Sequence, residues 1–186
     1  MKQKNEFRIQ PDGDVLVNCS TEGCPDTWAI IDASQLPKVI DGNGKWCAKK
    51  APVGSPHRYI HRSKIVNGKW STVTISRHLT SAPPGAHVDH INGETLDNRS
   101  ANLRVVSPRQ NRLNSGKHKP LTSRFKGVYW SKTANKWHVQ LRVNGKTVHI
   151  GFFASEEEAA RRYDSEAIRR YGEFARTNQS MGALNV

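Results

Sequence analysis

Between Val88 and Asn111 the sequence reads VDHINGETLDNRSANLRVVSPRQN. Asp89, His90, Asn98, Asn102, Arg104 and Asn111 crowd into this short stretch. Together they offer one anionic ligand, one base and several neutral oxygen donors. Carboxylate and amide oxygens favour a hard divalent ion, Mg2+ or Mn2+, over zinc or copper. An imidazole with an unperturbed pKa of about 6.5, set beside such an ion, can take a proton from water. The chemistry this points to is attack of water on a phosphate ester.

Such residues act only if the chain folds them together. Ala86 to Ile91 reads as a strand, and Asn92-Gly93 is a strong turn signal. Leu103, Val105 and Val106 form a short apolar return strand. Ser107-Pro108 marks a helix start, with serine as the cap and proline at the first helical position. Asn111 then falls in the first turn, so strands and helix converge Asp89 and Asn111 on one small site.

The DH pair, the NG turn, the NLR triplet and the QN pair occur here in order. In this the stretch resembles the HNH motif of phage and intron-encoded homing endonucleases. The resemblance implies a ββα-metal fold, two antiparallel strands and a helix around one divalent ion. It implies Asp89 as the first metal ligand, His90 as the general base and Asn111 as the second ligand. It implies that Asn102 braces the catalytic histidine and that Arg104 lies near the scissile phosphate. Upstream, Lys45-Trp46 and Ala82-Pro83-Pro84-Gly85 also match. The relatives' His-Arg-Leu reads Ser76-Arg77-His78, so the upstream histidine is replaced by Ser76. His78 is expected at the surface or behind the site rather than in catalysis.

The rest of the N-terminal half must support this motif. Glu6 to Gln10 and Asp14 to Val17 read as strands around Pro11-Asp12-Gly13, and Trp28, Ile30 and Ile31 as a further apolar run. Tyr59 to Val66 and Trp70 to Ile75 form a hairpin around Asn67-Gly68. Trp28, Trp46 and Trp70 are expected in the core, because few other large apolar residues are available to build one. Arg58, Arg62, Lys64 and Lys69 either contact phosphate or form the solvated face of the hairpin.

Arg112 to Arg124 is polar and basic and reads as a linker. Its Lys117 and Lys119 are expected to follow a DNA backbone. From Phe125 the pattern changes. Phe125 to Trp130 reads as a strand. In Lys136 to Val143, Trp137, Val139, Leu141 and Val143 take one face, and Lys136, His138, Gln140 and Arg142 the other. Asn144-Gly145 turns the chain, and Lys146 to Ile150 returns. Ser155 to Tyr171 reads as a helix, with Ser155 and Glu158 as a capping box and Gly172 as its stop. Ala160, Tyr163, Ala167 and Tyr171 form the stripe that covers the apolar sheet face.

Gly127-Val128, Lys136-Trp137, Arg142, Gly151, Ala159-Ala160 and Tyr163-Asp164 give residues 125–178 a resemblance to the ethylene-response-factor type DNA-binding domain of plants. That family lays its exposed sheet face in the major groove. The resemblance implies DNA contacts at Lys126 and Arg142. Trp137 matches a contacting tryptophan of the family yet falls on the apolar face here. Tyr129 and His149 replace two further contact residues, so the plant target sequence does not carry over.

The whole chain has 186 residues and a formal charge of +13. The part after position 110 holds 14 of the 29 basic residues and only 6 of the 16 acidic ones. A polyanionic partner follows, with double-stranded DNA the first candidate. No apolar run suits a membrane span and no signal peptide is apparent, so a cytoplasmic protein of a bacterial or phage-infected cell is expected. Cys19, Cys24 and Cys47 form neither a disulfide framework nor a usual zinc pattern, and structural zinc is not expected. The fold class expected is α+β. Residues 1–111 form the nuclease domain with its N-terminal strands, 112–124 the basic linker, and 125–178 a three-stranded antiparallel sheet packed on one helix; 179–186 is a tail. The expected activity is metal-dependent, site-specific cleavage of duplex DNA, by a monomer or alternatively a dimer. The competing readings are a DNA-binding protein without cleavage and a weakly specific DNase.

Overall fold

Short strands dominate the chain because apolar residues recur at alternate positions and turn residues interrupt them every few residues. The computed structural model describes residues 5–41, 44–51, 57–66, 68–113 and 122–184. Lys117, Lys119 and most of the basic linker lie outside the described residues, as does Asn67 of the hairpin turn. The fold is mixed α and β, with several small antiparallel sheets and few helices. The chain divides into two units, Met1–Pro108 and Arg109–Val186.

In the first unit, β1 (Phe7–Ile9), β2 (Val15–Asn18) and β3 (Trp28–Ile31) form an antiparallel sheet with β2 in the centre. Val15, Val17, Ala29 and Ile31 are its buried positions, two apart on each strand, as a half-buried pleat requires. Helix α1 (Leu36–Ile40) carries Pro37 in its first turn and leads to β4 (Cys47–Lys50). Strands β5 (Arg58–Val66) and β6 (Lys69–Thr74) complete a second sheet in the order β4-β5-β6. Helix α2 (Ile75–Thr80) is capped by the Thr74 hydroxyl, which accepts from the Arg77 N–H. The Arg77 guanidinium donates to the carbonyls of Ala82, Pro83 and Ala86 and so holds the Ala-Pro-Pro-Gly loop in place.

Trp46 is buried at the centre of this unit, its indole N–H on the Val39 carbonyl and Arg62 over its ring. Trp28 is half-buried under Arg8. Trp70 is not a core residue. It is 77 % exposed, because its strand position pairs with Ile65 on the outer face beyond the end of β4. The pleat, not the size of the indole, decides which side it takes.

Strands β7 (His87–His90) and β8 (Leu103–Val106) form a two-stranded antiparallel sheet, and α3 (Pro108–Leu113) follows. Helix α3 carries Asn111, which therefore falls in the second unit.

The second unit contains β9 (Val128–Ser131), β10 (Lys136–Val143) and β11 (Lys146–Phe153), with β10 central. Asn144 and Gly145 both have positive φ, as a two-residue hairpin turn demands. Helix α4 (Glu156–Tyr171) begins at Ser155, whose hydroxyl accepts from the Glu158 N–H. Ala159, Ala160, Tyr163 and Ala167 join Phe125, Val128, Val139 and Leu141 in a separate core. Asn178 is fully buried and ties the C-terminal strap to the first strand. Its amide oxygen accepts from Lys126 N–H, and its own N–H groups reach Asp164 on α4.

Candidate active site and nucleic-acid interface

Two polar side chains in sequence, Asp89 and His90, close β7 and are both buried. A strand would normally alternate them to opposite faces. The segment leaving β7 accommodates both, because its polar atoms are almost all satisfied locally. Gly93 N–H donates to the His90 carbonyl, and Ile91 N–H to the Asn102 carbonyl. The Asn102 side chain accepts from Asn92 N–H at 2.9 Å and donates to the Asp97 carbonyl at 2.8 Å. Asn102 thus spans the 92–102 loop and fixes its shape beside the histidine.

The side chain that meets the imidazole is Asn98. Its amide oxygen lies 3.3 Å from His90 Nε2. An amide oxygen only accepts, so the neutral ring carries its proton on Nε2 and Nδ1 is the basic nitrogen. Asn98 is itself fully buried. Its N–H donates to the Ile30 carbonyl at 2.8 Å, and Ile30 N–H donates to Leu96 O at 2.9 Å. The edge of β3 therefore positions Asn98, and Asn98 orients His90. Arg99 fastens the same loop through Asp97 and Asp14.

Asp89 faces Arg104 across the β7–β8 ladder. The guanidinium binds one carboxylate oxygen through Nε at 2.9 Å and through a terminal nitrogen at 2.8 Å. Both side chains are largely buried, so each offsets the desolvation of the other. Burial pushes the His90 pKa below the ordinary imidazole range, against the opposing pull of Asn98, Asp89 and Asp97. The neutral, proton-accepting ring is therefore favoured. His78 lies apart from this group, with Nε2 on the Lys38 carbonyl and its ring against Trp46.

Among the described residues, no three His, Cys, Asp or Glu side chains gather as a metal cluster. A divalent ion here would rest on Asp89 and on amide or other neutral oxygens, a donor set that fits Mg2+ or Mn2+. Sequence reading did not assign Asn98 a role, since its contacts depend on a strand edge 68 residues upstream. The one available signal was a second asparagine within the motif.

In the second unit, Lys136 and Arg142 are exposed on β10, and His138 and Gln140 are half-buried on the same face. A bulge after Val139 brings His149 and Phe152 of β11 beside them. His138 Nε2 is 2.7 Å from His149 Nδ1, and the rings of His138, His149 and Phe152 cluster. Trp137 lies on the opposite, helix-covered face against Trp130. Lys126 is turned inward. Its ammonium donates to the carbonyls of Leu113 and Arg176, and burial brings its pKa down to about 8.

Replacing Asn98 with alanine removes the orienting bond and also a contact that raises the His90 pKa. The expected result is a lower plateau of kcat/KM, with its acid limb moved to lower pH; a purely structural role for Asn98 would leave that limb in place. Asparagine-to-glutamine replacement should restore the limb only if the longer amide regains the ring.

Residues 77–113 match the family model described as HNH endonuclease. An uncharacterized HNH endonuclease of Acanthamoeba polyphaga mimivirus is 33% identical over 161 residues, spanning 82% of this chain and 75% of that protein. Protein 3.8 of Escherichia phage T7 is 38% identical over 92 residues, covering 50% of this chain and 66% of its own length. An ethylene-responsive transcription factor-like protein of Arabidopsis thaliana is 28% identical over 151 residues, 81% of this chain and 64% of that one. No solved structure matches.

Proposed function

The chain belongs to the HNH endonuclease family, and from that premise we propose that it is a metal-dependent, site-specific endonuclease of the homing type acting on duplex DNA. The observation that carries the reading is the buried Asp89–His90 pair, with the imidazole oriented by Asn98. His90 Nδ1 takes the proton from the water that attacks the phosphodiester. Asp89 and Asn111 are the residues that would hold the divalent ion, which would supply charge stabilisation for the phosphate and the leaving 3′ oxygen. Arg104 orients the Asp89 carboxylate, and a guanidinium at this position suits a clamp on the scissile phosphate. The products carry a 5′ phosphate and a 3′ hydroxyl. A monomer with one such site nicks one strand, whereas a dimer cuts both. The relatives in a virus and a phage support action inside an infected host cell. No helix among the described residues is long and apolar enough to cross a membrane.

Residues 125–178 serve as the reader, with Lys136, His138, Gln140 and Arg142 toward DNA, and Lys117 and Lys119 along the backbone between the halves. Arg142→Ala is expected to weaken binding. If Arg142 reads a guanine, discrimination at one position falls by roughly 1–3 kcal/mol. If it touches only phosphate, all sequences weaken alike and the salt slope shrinks by about one. Titrations on cognate and scrambled duplexes at several salt concentrations separate the two. Lys126, with its ammonium held by main-chain carbonyls, contributes less than its sequence position suggests.

The test of the activity is incubation with the flanking genomic DNA and Mg2+ or Mn2+, followed by strand-specific end mapping. Discrete ends that require the metal support the endonuclease reading. Tight binding without any cut supports the second reading, a DNA-binding protein without cleavage, which the plant relative's name favours. Scattered ends point to a weakly specific DNase.

A further inference from the structure

The β5–β6 hairpin of the first unit carries more apolar surface than its fold requires. Ile65 and Trp70 are cross-strand partners, 62% and 77% exposed. Neither joins the core of the unit. Further down the same face of β5, Tyr59 is 42% exposed and pairs with the exposed Lys49 of β4. The alternate positions near the tip, Lys64 and Lys69, are both exposed cations. An exposed apolar pair flanked by lysines has the chemistry of a contact surface for a polyanion with apolar walls.

The surrounding sequence gives the sign of that partner. From Gly42 to Val88 there is no Asp or Glu, whereas Lys45, Lys49, Lys50, Arg58, Arg62, Lys64, Lys69 and Arg77 all fall within it. A second such stretch runs from Asn98 to Ser155, so the hairpin lies in one of the two long stretches of the chain that are free of acidic residues. A protein partner of ordinary composition would not need so uniform a field; a phosphate backbone does.

Dimensions choose the groove. Paired strands lie about 4.8 Å apart, so a two-stranded ribbon with side chains suits a major groove about 12 Å wide and not a minor groove of about 6 Å. We infer that the β5–β6 hairpin is a second DNA-contacting element, seated in the major groove with Ile65 and Trp70 toward the base edges and Lys64 and Lys69 on the flanking phosphates. The inference rests on the endonuclease reading for the identity of the DNA. It adds an element, on the same unit as Asp89 and His90, that holds DNA independently of the residue 125–178 sheet. Thymine methyl groups are the natural apolar contacts for Ile65 and Trp70.

The test uses the full chain with metal withheld, so that binding is read without cleavage. Ile65→Thr/Trp70→Thr keeps β-forming side chains in both strands and, being at exposed positions, should leave the melting temperature unchanged. Its affinity for the cognate duplex should fall about tenfold, and guanine N7 protection from dimethyl sulfate should be lost over one patch of the site. Lys64→Ala/Lys69→Ala should lower the salt slope by about two while leaving that patch in place. Wild-type affinity, slope and protection in both variants overturn the inference, as does a fall in self-association with DNA affinity unchanged, which would make the patch a contact between copies. A wild-type chain that binds no DNA overturns the endonuclease reading as well. A wild-type chain that binds and cuts, with variants indistinguishable from it, overturns this inference alone.

Discussion

His90→Ala stops cleavage and leaves DNA binding intact. The expected fall in single-turnover rate is about 10²- to 10⁴-fold, the usual contribution of a positioned general base. The size of the effect follows from how the ring is held. His90 is buried at the end of β7, its Nε2 is fixed by Asn98, and burial keeps it neutral. Alanine supplies no basic nitrogen, and water entering the space is a far weaker base. The loss should therefore fall on the chemical step and not on affinity. A gel shift in the absence of metal, paired with a cleavage assay in its presence, reads the two separately. Near-normal cutting by H90A would remove His90 from the reaction.

The same residue leaves a signature in stability. Its folded pKa lies below the ordinary imidazole value, so below about pH 6.5 the unfolded chain gains a proton that the folded chain resists. Stability is thus lost as pH falls through the unfolded pKa toward the depressed folded one. H90A should show a shallower loss over that interval, measured by urea melts between neutral and mildly acidic pH. For activity the direction is opposite: a depressed pKa extends the range in which His90 remains a base, so the acid limb of kcat/KM should lie below pH 6.5.

What could be read from the sequence was local. The alternation of Lys136 to Val143, the Asn144-Gly145 turn and the Ser155 cap each depend on residues a few positions apart, and each appears where its period implies. The β7 and β8 strands and the start of α3 at Pro108 follow from the same short-range signals. What could not be read depends on distant neighbours. Strand β4 buries only Ala48 of its four residues, and its strand character comes from pairing with β5. The role of Asn98 comes from the β3 edge at Ile30. Lys126 reads as a surface cation, but the chain termini of its own unit wrap it in carbonyls. Trp70 shows the converse: a residue type usually buried is left outside because the register of its hairpin points it away from the core.

Gly127→Ala strongly destabilises the sheet-and-helix unit that contains it and spares the first unit, which carries Asp89 and His90. Gly127 has φ of +75°, and a Cβ built there would lie 2.1 Å from two ring carbons of Tyr163 and 2.9 Å from the Gln140 carbonyl oxygen. Tyr163 is buried in α4 among Phe125, Val128 and Val139, so its ring has no low-energy way to retreat. The Gln140 carbonyl belongs to the central strand, whose neighbouring N–H already bonds to Gly127 O. Two penalties add: about 1 kcal/mol for a β-carbon in left-handed backbone, and about 2 kcal/mol or more for the overpacked contact. Gly145→Ala separates them. It has a similar φ of +82° and nothing within 4 Å of the added carbon, so it should show the backbone penalty alone. Hydrogen exchange at the α4 amides of the full-length chain measures both, with G127A losing protection by a further factor of roughly 30 or more relative to G145A if the steric cost is paid in full. Exchange at Asn98 and Asn102 should remain at the wild-type level in both variants. Any cleavage that G127A retains should lose preference between cognate and scrambled sequence, because Asp89 and His90 belong to the first unit while the sheet that presents Arg142 belongs to the second. Equal protection of α4 in G127A and G145A would mean that the Tyr163 ring yields to the added methyl, and that the tight approach of β9 to the helix is not what stabilises this unit.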